Sequence, residues 1–299
     1  MSTVACLAGD GVGPELMAAV SRALDRVAKL HAVELDDVHL PFAGEAVTRS
    51  GHPLPPATRN GYREADAILV ASPDAPALEG VKADLQLAWR VARIQLENGR
   101  DVVVIGGVGD WADTIALRHA FRSAAARRGR AVAVGESQGW RTAVAAERER
   151  WNGLDVEEVS LGDALERVRE HPETVDVVVT ESHLVSVFVE TVAHVAGSRS
   201  SVAQAWLPDE GPGLFVPGAS QPEDVAGLGV ADPKAMFLTA SLMLAEGLKR
   251  RSASRTLERA VDAASRSEAT RDTKSFTDAV IELLPAARTD VDHFQEAWR

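Results

Sequence analysis

Two spacings of apolar residues alternate along the chain. Short runs rich in valine, isoleucine and alanine predict strands at residues 3–7, 67–71, 102–105, 131–134 and 175–180. Between them, apolar residues recur at helical spacing and predict helices at residues 14–30, 83–96, 114–128, 139–150, 163–170 and 183–196. Because the strand runs carry few polar positions, we expect burial on both faces, as in a mainly parallel sheet that helices cover.

The last third of the chain predicts a different arrangement. Its spacing indicates three successive helices, at residues 233–248, 253–264 and 273–284. Before them, the Gly- and Pro-rich stretch 211–233 predicts a long shaped loop. No apolar stretch approaches 18 residues, and the N-terminus lacks the pattern of a leader, so we predict a cytoplasmic protein without a membrane partner.

The net charge argues against nucleic acid as a partner, and the cysteine content excludes an intrachain disulfide. The 299 residues carry a net charge of −12, which repels phosphate backbones and excludes nucleic acid as a partner. The single cysteine, Cys6, lies in an apolar run and cannot form an intrachain disulfide. We therefore expect it to be a buried structural thiol.

Several segments resemble one known family. In chain order they read AGDGVGPEL at 8–16, SGHPLPPAT at 50–58, GPGLFVPGASQPEDVAGLGVADP at 211–233 and SFTDAVIELL at 275–284. These segments are similar to those of the isopropylmalate/isocitrate dehydrogenase family, the β-decarboxylating dehydrogenases. The resemblance implies a two-lobed α/β fold with mixed or parallel sheets covered by helices. It implies a first lobe of residues 1–100 plus 199–299 and a second lobe of residues 101–198.

The resemblance also implies a reaction and a cofactor. The family oxidises and decarboxylates a 2-hydroxy acid held on Mg²⁺ or Mn²⁺, uses NAD or NADP, and dimerises through its second lobe. The cofactor-binding positions fall on Asp224, Ala226, Gly227 and Asp232, where Asp232 replaces an asparagine and Ala219 replaces a histidine. Binding of NAD or NADP is therefore a prediction, as is a homodimer or a heteromer with an active homologue.

An arginine pattern predicts a site for a small carboxylate. The family's R-x9-R pattern aligns with Arg90 and Arg100, with Asn98 between them, and Arg93 follows Arg90 at helical spacing. Guanidinium groups bind carboxylates through two parallel hydrogen bonds. We predict that these four residues bind substrate, and a helix with solvated arginines remains the alternative.

The metal ligands of the family are replaced. Its aspartate pair aligns with Ser186 and Glu190, and the aspartate from the partner subunit aligns with Gly162, one residue before Asp163. Mg²⁺ requires several hard oxygen ligands in octahedral order. The sequence therefore predicts no metal site and disfavours Mg²⁺ and Mn²⁺.

The acid–base residues are replaced as well. The family's catalytic lysine aligns with Glu136, and its tyrosine belongs to a segment that this chain lacks. The only tyrosine, Tyr62, lies on an unrelated segment. The catalytic residues are therefore unknown, with Glu136 and Glu190 as candidate bases.

A rival nucleotide motif lies at residues 106–112. GGVGDWA fits G-x-G-x-x-A between a strand and a helix, and Glu136 at the end of the next strand is a candidate ribose ligand. Glu136 is far along the chain for that role. A glycine turn left by a deletion is the favoured interpretation.

Two functions remain open. The first is a non-catalytic or regulatory, ligand-binding paralogue that has lost metal-dependent oxidative decarboxylation. The alternative is an active NAD(P)-dependent oxidoreductase, or a metal-free lyase or isomerase, acting on a small carboxylated 2-hydroxy acid.

Overall fold

A computed structural model describes residues 1–73, 75–218, 223–267 and 272–285. The described chain forms ten strands and eleven α-helices. They follow in the order β1 (Ser2–Leu7), α1 (Gly13–Leu30), β2 (Leu35–His39), α2 (Ala43–Ser50), α3 (Pro56–Glu64), β3 (Ala67–Val70), α4 (Ala77–Asp84), β4 (Leu87–Gln95), β5 (Asp101–Gly107), α5 (Asp113–Ala125), β6 (Arg130–Val134), α6 (Gln138–Arg148), β7 (Asp155–Val159), α7 (Leu161–Glu170), β8 (Val177–Thr180), α8 (Val185–Val195), β9 (Val202–Pro208), β10 (Gly213–Pro217), α9 (Lys234–Leu242), α10 (Arg251–Ser265) and α11 (Thr273–Leu283).

Contacts group the chain into two compact units. The first consists of residues 1–72 and 221–299, and the second of residues 73–220. The predicted division assigned residues 73–100 and 199–220 to the first lobe. These residues join the second unit because β4 pairs with both β5 and β9, and β9 pairs with β10.

The first unit combines parallel strands with helices from both ends of the chain. β1 pairs in parallel with β2 on one side and β3 on the other. The amphipathic helix α1 buries one face and contacts α9, α10 and α11. Cys6 is buried in β1, where burial raises the pKa of its thiol, and Tyr62 is fully buried in α3. Neither side chain is available to a ligand.

The second unit contains seven strands in the order β10-β9-β4-β5-β8-β6-β7. The pairs among β5, β8, β6 and β7 are parallel, whereas β10, β9, β4 and β5 pair antiparallel. Alternate residues of the central strands pack against α7 and α8 in one continuous apolar core. The α/β class with a large, mostly parallel sheet covered by helices is confirmed.

Two predicted elements differ from the structure. Residues 83–96 were expected to form a helix, but the helix α4 ends at Asp84 and β4 begins at Leu87. β4 is a central strand with an antiparallel partner on each side, and this pairing overrides the local apolar spacing. The expected loop at 211–233 likewise contains the strand β10.

Candidate functional site

Arg90 lies in the middle of β4, opposite Gly106 of β5 and Trp206 of β9. A Cβ on Gly106 would lie 2.1 Å from Cγ2 of Val185, so only glycine lets the start of α8 approach the sheet so closely. The next residue of α8 is Ser186, whose Oγ accepts a hydrogen bond of 3.1 Å from Nη1 of Arg90. The serine reaches the arginine because the glycine has no side chain.

The other contacts of Arg90 are also to neutral groups. Its Nη2 donates to Oε1 of Gln204, a buried residue of β9, and its guanidinium carbon lies 5.0 Å from the ring centre of Trp206. Burial lowers the pKa of Arg90, Glu190 acts in the opposite direction, and Arg199 lowers it further. Arginine nevertheless stays charged in proteins. Arg90 thus presents a positive charge that is hydrogen-bonded without a carboxylate.

Glu190, one of the candidate bases, is engaged with Arg199. Nη1 of Arg199 lies 2.7 and 2.6 Å from the two carboxylate oxygens of Glu190, and its Nε donates to the carbonyl of Gly218 at 2.8 Å. Both side chains of the pair are about half exposed. A cation therefore already occupies the carboxylate that aligns with a metal ligand.

The donor set does not fit a divalent metal ion. The hydroxyl of Ser186 accepts from Arg90, Glu190 is paired with Arg199, and Asp163 accepts from Ser160 at the start of α7. Among the residues that the structure describes, no three acidic, histidine or cysteine side chains are grouped so that they could hold a metal ion. Mg²⁺ in proteins takes several hard oxygen ligands, which this set does not provide.

The four predicted substrate residues are not brought together. On a strand, neighbours three apart point to opposite faces, so Arg93 does not share the face of Arg90, and that prediction is wrong. Arg93 donates to Asp101 instead. Asn98 and Arg100 form the turn between β4 and β5, where Nη1 of Arg100 donates to the carbonyl of Glu173. That turn is about 17 Å along the strand from Arg90.

A second polar cluster lies at the carboxyl ends of β5, β6 and β8. Asp113, the first residue of α5, accepts from the backbone N of Ser182 at 3.1 Å, and Oγ of Ser182 donates to Asp110 at 2.7 Å. Glu181 is buried and accepts from the backbone N of Glu136 at 2.8 Å. Asp110 lies in the rival nucleotide motif noted in the sequence, but Asp113 and Glu181 were missed, although each follows a buried strand that ends at the same edge of the sheet.

The pKa values of Asp113 and Glu181 in this cluster are shifted in opposite directions. Burial raises the pKa of Asp113 to about 6; the hydrogen bond from Ser182 opposes the rise, and Asp110 and Glu181 add to it. Burial also acts to raise the pKa of Glu181, but the hydrogen bonds from Ser137 and from the backbone N of Glu136 lower it overall. Asp113 therefore changes its charge closest to neutral pH, whereas Glu181 stays ionised.

The geometry of this cluster disfavours the rival nucleotide motif. A Cβ on Gly107 would lie 2.7 Å from Oδ1 of Asp113, so the space beside the glycine is filled by a carboxylate and not open to a ligand. Asp110 and Asp113 add negative charge at the N-terminus of α5, where pyrophosphate would need positive potential. The side chain of Glu136 is exposed, and only its backbone contacts the cluster.

The first unit holds the predicted cofactor residues. Asp224 is exposed, Ala226 is half-buried, and Gly227 has a φ of 72° that favours glycine. Oδ1 of Asp232 accepts from the backbone N of Lys234 at the start of α9. The loop thus keeps a fixed shape, while Ala219 lies outside the described residues.

The glycine turn after β1 is also held in place within the first unit. Both carboxylate oxygens of Asp10 accept from the backbone N of Gly44, at 2.8 and 2.9 Å, and Oγ of Ser72 donates to the carbonyls of Ala8 and Asp10. A Cβ on Gly13 would lie 1.9 Å from the carbonyl oxygen of Ala8. The turn therefore requires glycine for its own packing.

A family model described as isocitrate/isopropylmalate dehydrogenase matches residues 3–92 and 114–283. This chain belongs to that family. The 3-isopropylmalate dehydrogenase of Synechococcus sp. (strain CC9902) is 30% identical to it, covering 87% of this chain and 90% of the relative. The 3-isopropylmalate dehydrogenase of Mannheimia succiniciproducens is 28% identical, covering 87% and 91%. The family recognised from the sequence motifs is confirmed.

Solved structures show the same fold. The apo form of a β-decarboxylating dehydrogenase from Thermococcus kodakarensis has a TM-score of 0.81 at 20% identity, covering 100% of this chain and 99% of that one. Isocitrate dehydrogenase from Methylococcus capsulatus has a TM-score of 0.79 at 18% identity, covering 95% and 99%. The family model leaves out residues 93–113, which supply Asp110 and Asp113 to the polar cluster.

Family membership bears on the cofactor predictions. It is compatible with NAD, and it weighs against the prediction that Mg²⁺ and Mn²⁺ are not bound. None of the helices in the described part of the chain is long and apolar enough to cross a membrane.

Proposed function

We propose that this member of the dehydrogenase family binds a small carboxylate at Arg90 without a divalent metal ion and does not carry out metal-dependent oxidative decarboxylation. The observation that carries the proposal is the set of partners of Arg90, which are the neutral side chains of Ser186 and Gln204. A partly buried guanidinium whose hydrogen-bond partners are neutral favours an anionic ligand, because the ligand supplies a counter-charge in direct contact.

The replaced residues support the loss of the metal-dependent reaction. A divalent ion at this position would have to displace Arg199 from Glu190 and would gain only a hydroxyl from Ser186. Glu136 cannot supply the positive charge that the aligned lysine would bring, because a carboxyl group carries no positive charge in either protonation state. The two substitutions remove separate contributions to the stability of the transition state.

Calorimetric titration with isopropylmalate, with and without Mg²⁺, tests the proposal. We expect binding that is unchanged by Mg²⁺ or by EDTA, and a loss of about 10- to 100-fold in affinity in the Arg90→Gln variant. Arg49→Gln, the same change at an exposed ion pair of α2, is the control and should bind as the wild type does. Binding that requires Mg²⁺, or turnover of NAD⁺ that requires it, would contradict the proposal.

A second candidate function is a metal-free oxidoreductase, lyase or isomerase on a carboxylated 2-hydroxy acid. It is favoured by Asp113, because a carboxyl group with a pKa of about 6 is suited to proton transfer near neutral pH. Assays of 2-hydroxy acids with NAD⁺, NADP⁺ and no nucleotide, all in EDTA, test it. Turnover that rises through pH 6 and is lost in Asp113→Asn would establish this function over the first.

The assembly and the location of the protein stay predictions. The first expectation is a homodimer or a heteromer with an active homologue, and the second is a cytoplasmic protein. Light scattering on the purified chain, alone and mixed with an active homologue, would test the first. A mass of one chain under both conditions would contradict it.

A further inference from the structure

The exposed side of α10 carries a row of arginines. Arg251, Arg255 and Arg259 follow one another at a spacing of four residues, which places them on one side of the helix. All three residues are exposed, whereas the opposite side of α10 is buried and packs against α9 and α11. With a rise of about 1.5 Å per residue, successive members lie about 6 Å apart along the axis. These three residues are called the arginine row below.

No carboxylate of the described residues neutralises the arginine row, whose three side chains form no ion pair and no hydrogen bond within that part of the chain. The two acidic residues of α10 have other partners. Glu258 accepts from the buried hydroxyls of Ser241 and Ser254, at 2.8 and 3.2 Å. Asp262 pairs with Arg266. The helix therefore leaves the charges of the row open to a partner.

Neither helix stability nor solubility accounts for the arginine row. Like charges four residues apart repel each other on a helix. Arg251, the first residue of α10, also places a positive charge where the helix dipole disfavours it. In a chain with a net charge of −12, added cations bring the net charge closer to zero and so reduce solubility. These costs favour a role for the row in binding an anionic partner.

We propose that the arginine row is a docking surface for an acidic helix of a partner protein. When two helices lie side by side about 8–10 Å apart, carboxylates at the same spacing of four residues lie opposite the three guanidinium groups. Arginine suits this role because its planar group binds a carboxylate through two parallel hydrogen bonds. The inference does not depend on the function proposed for Arg90.

The shape and charge of the surface disfavour other anionic partners. One exposed side of a helix is convex and does not enclose a small anion. Nucleic acids and anionic membranes extend well beyond the roughly 12 Å that the row spans, so they also meet the rest of a protein with a net charge of −12. A short acidic helix contacts the row alone, and charges more than about 10 Å away are screened at about 0.1 M salt.

The helix that carries the row is fixed from behind. Nε2 of His31, at the end of α1, lies 2.9 Å from Oγ1 of Thr256 in α10. The hydroxyls of Ser241 in α9 and Ser254 in α10 lie 2.8 Å apart, and both residues are buried. Because the supporting helix is already ordered, docking has little backbone entropy to lose on this side of the contact.

Two peptides of equal composition test the docking surface. Both are peptides of about 20 residues built on alanine and glutamine, long enough for partial helicity, and each carries three glutamates. In the first peptide the glutamates are four residues apart and share one side of the helix. In the second they are five residues apart and point to three different sides. NMR titrations at low salt, followed through the backbone amides of α10, should show about tenfold tighter binding of the first peptide.

Two double substitutions separate the position of the charges from their number. Arg255→Gln with Arg259→Gln removes two charges from the row and should abolish the preference for the first peptide. Arg118→Gln with Arg122→Gln removes two exposed charges of the same spacing from α5 and should leave the preference unchanged. Because the row repels itself, the first variant should unfold at the same temperature as the wild type or at a higher one, which circular dichroism measures.

Equal affinities of the two peptides for the wild type, or a preference that survives Arg255→Gln with Arg259→Gln, would overturn the docking surface. An equal loss of preference in the α5 variant would overturn it as well, because net charge alone would then explain the binding. A DNA oligonucleotide and vesicles of phosphatidylglycerol, added at equal charge concentration, should not displace the first peptide. Displacement by either one would assign the row to nucleic acid or to a membrane and overturn the acidic helix as the partner.

Discussion

Arg90 and Arg127 belong to the same unit, yet they are surrounded differently. Arg127 donates to both oxygens of Asp101, at 2.8 and 3.0 Å, and to Asp176, whose side chain is 1% exposed. Arg90 is bonded to a serine and a glutamine. The first guanidinium is hydrogen-bonded to two carboxylates of the protein, whereas the second is hydrogen-bonded to neutral side chains. The partners of an arginine, more than its burial, therefore distinguish a structural role from a binding role.

The largest expected effect comes from breaking the neutralised site. Arg127→Gln leaves the buried Asp176 without its main counter-charge and leaves Asp101 with Arg93 alone, so the free energy of unfolding should fall by about 3–5 kcal/mol. Urea denaturation followed by circular dichroism measures it. Arg130→Gln, at the exposed pair with Asp155, is the matched control and should cost less than about 1 kcal/mol. A loss for Arg127→Gln no larger than the control would remove the contrast.

The same substitution at the proposed ligand site should lower the affinity for a carboxylate and leave the stability almost unchanged. Arg90→Gln removes a charge that no carboxylate balances by hydrogen bonding, so the free energy of unfolding should change by about 1 kcal/mol or less. Carboxylate affinity should nevertheless fall by the factor given above. Parallel denaturation and calorimetry on one preparation check both values. Strong destabilisation with unchanged affinity would show that Arg90 is structural.

The contributions of Asp101 and Asp113 to stability should depend on pH in opposite directions. Burial acts to raise the pKa of Asp101, but Arg93 and Arg127 hold it below its ordinary value, so its contribution is present above that value and is lost as the pH falls. The pKa of Asp113 is raised from 3.8 to about 6, so its contribution is present at low pH and is lost as the pH rises through 6.

The wild type should therefore lose about 1 kcal/mol of stability between pH 4 and pH 7 through Asp113, after allowance for the partial exposure of this residue. The Asp113→Asn variant should not show this loss. Denaturation midpoints of the wild type and the variant across this range measure the difference. Parallel curves for the two proteins would be inconsistent with a raised pKa at Asp113.

The smallest effect is expected at the exposed pair of Glu190 and Arg199. Glu190→Gln should change the free energy of unfolding by less than about 1 kcal/mol, because both side chains are about half exposed. Binding of Mn²⁺, followed by electron paramagnetic resonance, should be equally weak in the wild type and the variant. Tight binding of Mn²⁺ that is lost in Glu190→Gln would show that Glu190 belongs to a metal site.

Most of the helices and buried strands could be predicted from the apolar spacing alone. The predicted helices at 163–170, 183–196 and 273–284 lie within about two residues of α7, α8 and α11. The strand β4 was mispredicted because LAWRVARIQ carries apolar residues at spacings that fit either element, and only its neighbours β5 and β9 decide between them. That error also placed Arg93 on the face of Arg90.

The polar sites were harder to predict than the fold. Asp101, Arg127 and Asp176 are far apart in the chain, and no spacing links them before the strands are ordered. The carboxylates of Asp110, Asp113 and Glu181 carried a usable signal, since each follows the end of a buried strand. The resemblance drew attention to Glu136 and Glu190, whose side chains are exposed and, for Glu190, already paired.

The geometry of the Arg90 site also depends on Gly106. Any larger residue would push Val185 away from the sheet and carry Ser186 with it. The hydrogen bond between Ser186 and Arg90 would then be disturbed by a residue that is in contact with neither of its two atoms. In a library of single substitutions selected for ligand capture, Gly106 should tolerate replacement as poorly as Arg90, although it contributes no functional group. A search for binding residues guided by chemical type alone would pass over the position on which the site's shape depends.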